Sequence, residues 1–118
     1  MDKWQALSDF FNGFATAYEV GTVPDDAEFP YITYESRIGS LGDDIQIDAS
    51  IWDRNTSWAT VDGMVDRIEK AINIMGCPRI DGGRYRVYKG TPYAQRMSDP
   101  NADIRRTVLH INFEFMTE

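Results

Sequence analysis

The chain predicts a single α+β domain over residues 1–118, in which two helices pack on one face of a mostly antiparallel sheet in the order α-β-β-α-β-β. Three observations carry that expectation. Residues 30–54 alternate apolar and polar with a period of two, on either side of a Gly- and Asp-rich turn. Residues 57–75 bring apolar side chains round at steps of three and four. Residues 104–116 return to alternation, in a run long for a strand and suited to a central rung of the sheet.

Taken in order, Asp2 is placed to cap a first helix whose apolar stripe is Trp4, Leu7, Phe11 and Phe10. Asn12-Gly13 offers a stop, because both residues accept the left-handed conformation. Phe14 to Val20 reads as extended, and Gly21, Pro24, Asp25 and Asp26 make a turn-rich connector. Pro30 opens the first hairpin strand, where its missing N–H is tolerated. In that strand Ile32, Tyr34, Ser36 and Ile38 share one face, and Tyr31, Thr33, Glu35 and Arg37 the other. Gly39, Ser40, Gly42, Asp43 and Asp44 supply turn chemistry. Beyond them Ile45, Ile47, Ala49 and Ile51 alternate with Gln46, Asp48, Ser50 and Trp52.

Asn55, Thr56 and Ser57 are N-cap candidates for a helix from Ser57 to Met75, with Trp58, Val61, Val65, Ile68, Ile72 and Met75 on its inner stripe. Asp66 and Lys70 are spaced to pair on its outer face. Gly76 and Pro78 end it. Asp81-Gly82-Gly83 turns into a strand from Arg84 to Lys89, with Tyr85 and Val87 inward. A long connection then spans Gly90 to Asp103, a length usually functional or mobile. In the last strand Thr107, Leu109, Ile111, Phe113 and Phe115 face the core.

Composition narrows the function classes. A net charge of -7 argues against generic nucleic-acid binding, which needs clustered Lys and Arg. No apolar run reaches the roughly 18 residues a membrane helix needs, and no secretory signal pattern opens the chain, so an intracellular protein is expected. One cysteine rules out an internal disulfide framework.

The search for chemistry yields little. His110 is the only histidine and Cys77 the only cysteine, too few for a zinc site, and their pairing as base and nucleophile rests on nothing in the spacing. Asp25, Asp26 and Glu28 do not follow calcium-loop spacing, nor do Asp43 and Asp44. Gly82-Gly83 precedes a strand, not the helix N-terminus a phosphate loop requires. The chain is therefore expected to be no enzyme and to carry no cofactor. Arg84, Arg86, Arg105 and Arg106 would form a basic patch if their strands were neighbours, one suited to an acidic partner or subunit, and a cation–π contact with Tyr88 is equally open. Aromatics make up 13% of the chain, and alternation cannot bury all of Tyr31, Tyr34, Trp52, Trp58, Tyr85, Tyr88 and Tyr93 in one core. Some must sit on the second sheet face or in loops, as at protein interfaces.

Three blocks carry a resemblance: TVPDDAEFPYITYE (Thr22 to Glu35), ASIWDRNTSWATV (Ala49 to Val61) and YKGTPYAQRMSDPNADIRRTVLHINFEF (Tyr88 to Phe115). In these the chain resembles small proteins from the structural gene cluster of long-tailed bacteriophages and prophages of Gram-positive bacteria, labelled minor capsid or tail-completion proteins. The element order also looks like the tail terminator fold. That resemblance implies a homo-oligomeric, hexameric ring at the neck of the virion, at the top of the tail, assembled in the host cytoplasm. Such a ring caps the tail tube protein, stops its polymerisation and meets the head's connector or stopper protein, with DNA only as cargo passing an acidic lumen. It implies no catalytic residues. A head-completion or stopper role in the same neck is the nearby alternative, and a small acidic module binding a host protein the distant one.

A ring of identical subunits needs heterologous contacts. The expected interface residues are Glu35, Arg37, Trp52 and Arg54 on the polar sheet face, and Tyr93, Arg96 and Asp99 in the long connection. Arg96, Arg105 and Arg106 are expected to meet Asp25, Asp26 or Glu28 of the next subunit.

Overall fold

Asp2 and Asn12 fix the ends of the first helix. In the computed structural model, which describes residues 2–38 and 44–117, Asp2 Oδ1 accepts the Gln5 amide at 2.8 Å and α1 runs Lys3–Asn12. Its stop differs from the expected one, since Gly13 stays right-handed at φ -69. The Asn12 side chain instead donates back to the Ser8 carbonyl at 2.9 Å and accepts the Ala17 amide at 3.0 Å, tying the helix to the strand that follows. Ala6, Leu7 and Phe11 are its buried residues, whereas Trp4 is 42% exposed and lies off the core stripe.

The extended stretch after α1 becomes β1 (Ala17–Glu19), which pairs parallel with β2 (Tyr31–Ile38). β2 and β3 (Asp44–Arg54) form the expected antiparallel hairpin. The turn chemistry at Gly39, Ser40, Gly42 and Asp43 lies outside the described residues, as do the side chains of Ile38 and Asp44. Ile32 and Tyr34 face the core as expected, but Ser36 is exposed.

α2 runs Ala59–Ile74, slightly inside the expected limits. Ser57 Oγ accepts the Ala59 amide at 3.1 Å and Asn55 Oδ1 accepts the Ser57 amide at 3.0 Å, so the polar run organises the entry while Trp58 occupies the cap position itself. Val61, Met64, Ile68 and Ile72 are buried, and Val65 and Trp58 only partly. Gly76 takes φ 66, the left-handed turn that ends a helix. The Asp66–Lys70 pair is not formed among the described residues. Asp62 and Glu69 reach strand cations instead.

The largest departure lies beyond Lys89. A two-residue strand β4 (Arg79–Ile80) precedes β5, which runs Gly83–Met97 rather than ending at Lys89. The long loop expected from Gly90 to Asp103 is therefore mostly strand, interrupted by an irregularity between Lys89 and Ala94. Both flanking residues keep antiparallel partners on β6 (Ile104–Thr117): Lys89 with Ile111 and Ala94 with Leu109. Four residues of β5 thus stand opposite His110 alone, a bulge that Thr91-Pro92 and Gly90 do not betray by alternation.

The sheet order is β1-β2-β3-β6-β5-β4, so β6 is central, next to β3 and not only to its chain neighbour. Both helices cover one face. Phe11 stacks on Tyr34 with ring centroids 5.0 Å apart, and Phe10 meets Phe113 edge-on at 5.6 Å. Ile47, Ile51, Leu109, Ile111 and Phe113 form the floor beneath Val61 and Ile68, each almost wholly removed from water. Burial on this scale contributes about 1.5–3 kcal/mol per large side chain.

Candidate interaction surface

The face of the sheet turned away from the helices is left open by the fold and is the candidate interaction surface. Alternation places Tyr31, Thr33, Glu35 and Arg37 of β2 there. Beside them the register sets Trp52, Ser50, Asp48 and Gln46 of β3, then Arg106, Val108, His110 and Asn112 of β6. These residues tie one another down. Trp52 Nε1 donates to Thr33 Oγ1 at 2.9 Å, and the Arg106 guanidinium lies 4.5 Å over the Trp52 ring while its Nε reaches Ser50 Oγ at 3.2 Å. Thr33 and Ser50 are consequently buried on an otherwise open face. Asp48 is the hub of the other half. One oxygen accepts from Arg37, and the other lies 2.9 Å from His110 Nδ1. A groove of about 450 Å³ runs over this face, with Val20 and Val23 on one wall and Arg106 and Val108 on the other.

The network Arg37–Asp48–His110 was not legible in the sequence. Asp48 and His110 both fall on the outward parity of their strands, but nothing in the chain order says that β3 and β6 are neighbours. His110 is far from Cys77. The Cys77 carbonyl accepts from Arg84, whose partner on β6 is Met116, six residues from His110 and so about 20 Å along the strand. Among the described residues no group of three metal-ligating side chains comes together.

The other expected interface residues occupy three further places. Tyr93 lies on the helix side, its hydroxyl donating to the Val65 carbonyl at 3.0 Å. Arg54 sits at the end of β3, bonded to Asp103 at 2.6 Å and stacked over Phe29 at 5.3 Å. Its guanidinium holds the Asp103 carboxyl below the ordinary range. Arg96 and Arg105 gather at Trp58, with guanidinium carbons 4.5 and 5.4 Å from the ring centroid. Arg96 also donates to Asp62 at 2.7 Å, and Arg105 to the Thr56 carbonyl at 2.9 Å. Asp99 accepts the Asn101 amide in the turn between β5 and β6. Asp25, Asp26 and Glu28 are exposed in the connector.

No single basic patch unites Arg84, Arg86, Arg105 and Arg106. Arg86 opposes Glu114 on β6, eight residues from Arg106 and about 26 Å along the strand. It bonds Glu114 at 2.6 Å and stacks on Tyr88 at 5.3 Å, the cation–π contact that the sequence left open. Arg106 is spent on Trp52.

The backbone has a solved counterpart in the structure of the bacteriophage SPP1 gp17 protein, with a TM-score of 0.55 over 93% of this chain and 78% of that one. The fold is one a bacteriophage protein adopts. At 19% identity the likeness to gp17 is one of architecture, and residue roles rest on this chain's own geometry. No protein-family model matches the chain, and no curated protein matches its sequence. Among the described residues no helix is long and apolar enough to cross a membrane.

Proposed function

We propose that this chain is a structural protein of the phage neck, a tail terminator that caps the tail tube as a ring of identical subunits and joins it to the head connector. The observation that carries the reading is the open sheet face. It is broad, aromatic and charged, and its side chains are held in place by one another. Among the described residues they line an open groove. Such a surface suits a protein partner better than a small substrate. The architecture shared with a bacteriophage protein and the three resembling sequence blocks favour the phage setting.

The reading assigns no catalytic step and no cofactor. Six copies are the number the resemblance implies, and the tube and the connector are its implied partners.

The test is attachment. A phage lacking this gene should make tails of uncontrolled length or unjoined heads and tails, and added protein should bind headless tails and restore joining. Retention on tailless heads, with no binding to tails, would replace the terminator by a head-completion or stopper protein. Normal particle yield without the gene would remove the neck role altogether.

A further inference from the structure

An acidic turn and a cleft walled by two arginines lie at one end of the sheet. The connector into β2 holds Asp25, Asp26 and Glu28 in a turn that the Ala27 amide closes on the Pro24 carbonyl at 3.1 Å. All three acids are exposed, and no hydrogen bond or ion pair among the described residues engages their carboxylates. The second is a cleft of about 270 Å³ walled by Trp58, Arg96, Arg105 and the turn at Ser98 to Ala102, whose one acid, Asp99, is engaged by the Asn101 amide. Trp58 serves there as a platform fixing both guanidinium groups. Arg105 Nε is buried with no acceptor among the described residues, and each guanidinium keeps N–H donors beyond its single intrachain bond.

Within one copy the two surfaces stand apart. Tyr31, where the connector enters, is followed across the sheet by Trp52, Arg106 and Met97, where the cleft begins. Three strand spacings separate them, about 14 Å. Phe29, next to Glu28, comes only as far as Arg54, which bonds Asp103 at 2.6 Å, and no connector carboxylate reaches Arg96 or Arg105 among the described residues, so both surfaces remain available to a second copy.

We propose that the acidic connector of one copy docks in the Arg96–Trp58–Arg105 cleft of a second copy, placing Asp or Glu carboxylates against the two guanidinium groups. Fixed guanidinium groups suit carboxylates because their donors match in pairs, and pre-ordering by Trp58 reduces the entropy lost on binding. The proposal rests on the ring reading, which it furnishes with a contact. It also narrows the expected set of cations, since Arg106 belongs to the open sheet face and takes no part.

Sedimentation of the full chain at low and at moderate salt tests it. The wild-type chain should self-associate, and less so as salt rises. Replacing the connector acids together (Asp25→Lys, Asp26→Lys, Glu28→Lys) should weaken association at least about tenfold, as like charges meet across the contact. These exposed, unbonded residues leave folding untouched, which circular dichroism verifies. Arg96→Glu with Arg105→Glu should weaken it equally. A mixture of the two variants should associate again, because each reversed surface then meets its opposite. A connector variant that associates like wild type overturns the contact and leaves the tail reading standing, as does a folded pair of variants that stays apart when mixed. A wild-type chain that is monomeric at low salt and high concentration overturns it too. Self-association through this contact in a protein that completes neither tails nor heads would remove the tail reading instead.

Discussion

Tyr93, projecting from the bulge of β5, places its hydroxyl 3.0 Å from the carbonyl of Val65 in the middle of α2. The contact fastens helix to sheet at a point that alternation would put in a loop. Tyr93→Phe keeps the ring and loses the bond, and should destabilise the fold by about 0.5–1.5 kcal/mol in urea unfolding.

The same residue sets an alkaline limit. Burial, with Glu69 and Asp66 nearby, pushes the Tyr93 hydroxyl well above its ordinary value of 10.0. Burial also raises Tyr85, with Asp9 adding to it. Above that ordinary value the unfolded chain has released tyrosine protons the folded chain still holds, so stability falls as pH climbs. It is fully present below pH 10.0. Urea midpoints should be level with respect to these tyrosines up to about pH 9 and fall from about pH 10 to 12 for wild type, less steeply for Tyr93→Phe, with the remaining slope owed to Tyr85.

At Gly90 the bulge passes close to β6. A Cβ there would lie 3.0 Å from both the Cβ and the carbonyl oxygen of His110. Backbone on the far side cannot retreat as a flexible side chain can. Gly90→Ala should cost about 1–3 kcal/mol, measured by thermal or urea unfolding.

Thr107 is 3% exposed on the core face of β6, and its hydroxyl has no hydrogen-bond partner among the described residues. Thr107→Val replaces the orphaned hydroxyl with a methyl of similar shape. It should stabilise the fold by about 1 kcal/mol with an unchanged urea slope.

Glu35 is exposed on the open face, directly opposite Asp48 on β3. Asp48 is already committed to Arg37 and His110, which leaves Glu35 beside a like charge. Glu35→Arg should leave stability within about 0.5 kcal/mol. If the open face meets the neck partners, the same substitution should abolish rescue of a phage lacking the gene, scored as joined particles by electron microscopy.

Much of the fold was legible because it depends on local periodicity. The hairpin, the second helix and the core face of β6 follow from residues such as Ile47, Ile51, Ile68, Leu109 and Phe113 recurring at strand or helix spacing. What was not legible depends on pairing distant in sequence or on broken periodicity. β1 is only three residues long and pairs parallel, without a turn to announce it. Trp4 shares helical spacing with Leu7 yet stays exposed, with the Lys3 ammonium 5.3 Å from its ring centroid in place of a core neighbour. The grouping of the residues expected at an interface was not legible. Arg96, Arg105 and Arg106 stand close in the chain, and two gather on Trp58 while the third faces the opposite side of the sheet beside Trp52.

The bulge in β5 has a consequence for how the chain can change length. Before it the odd-numbered residues Tyr85, Val87 and Lys89 share the parity of the helix face. After it the even-numbered Ala94 and Arg96 do, while both halves keep their partners on β6. A residue gained or lost between Arg84 and Lys89 would invert every side chain from there to the bulge. The same change within 90–93 would be absorbed by a segment already out of register. It is the one stretch of β5 where descendants can drift in length while Lys89 and Arg96 still reach Glu69 and Asp62 on α2.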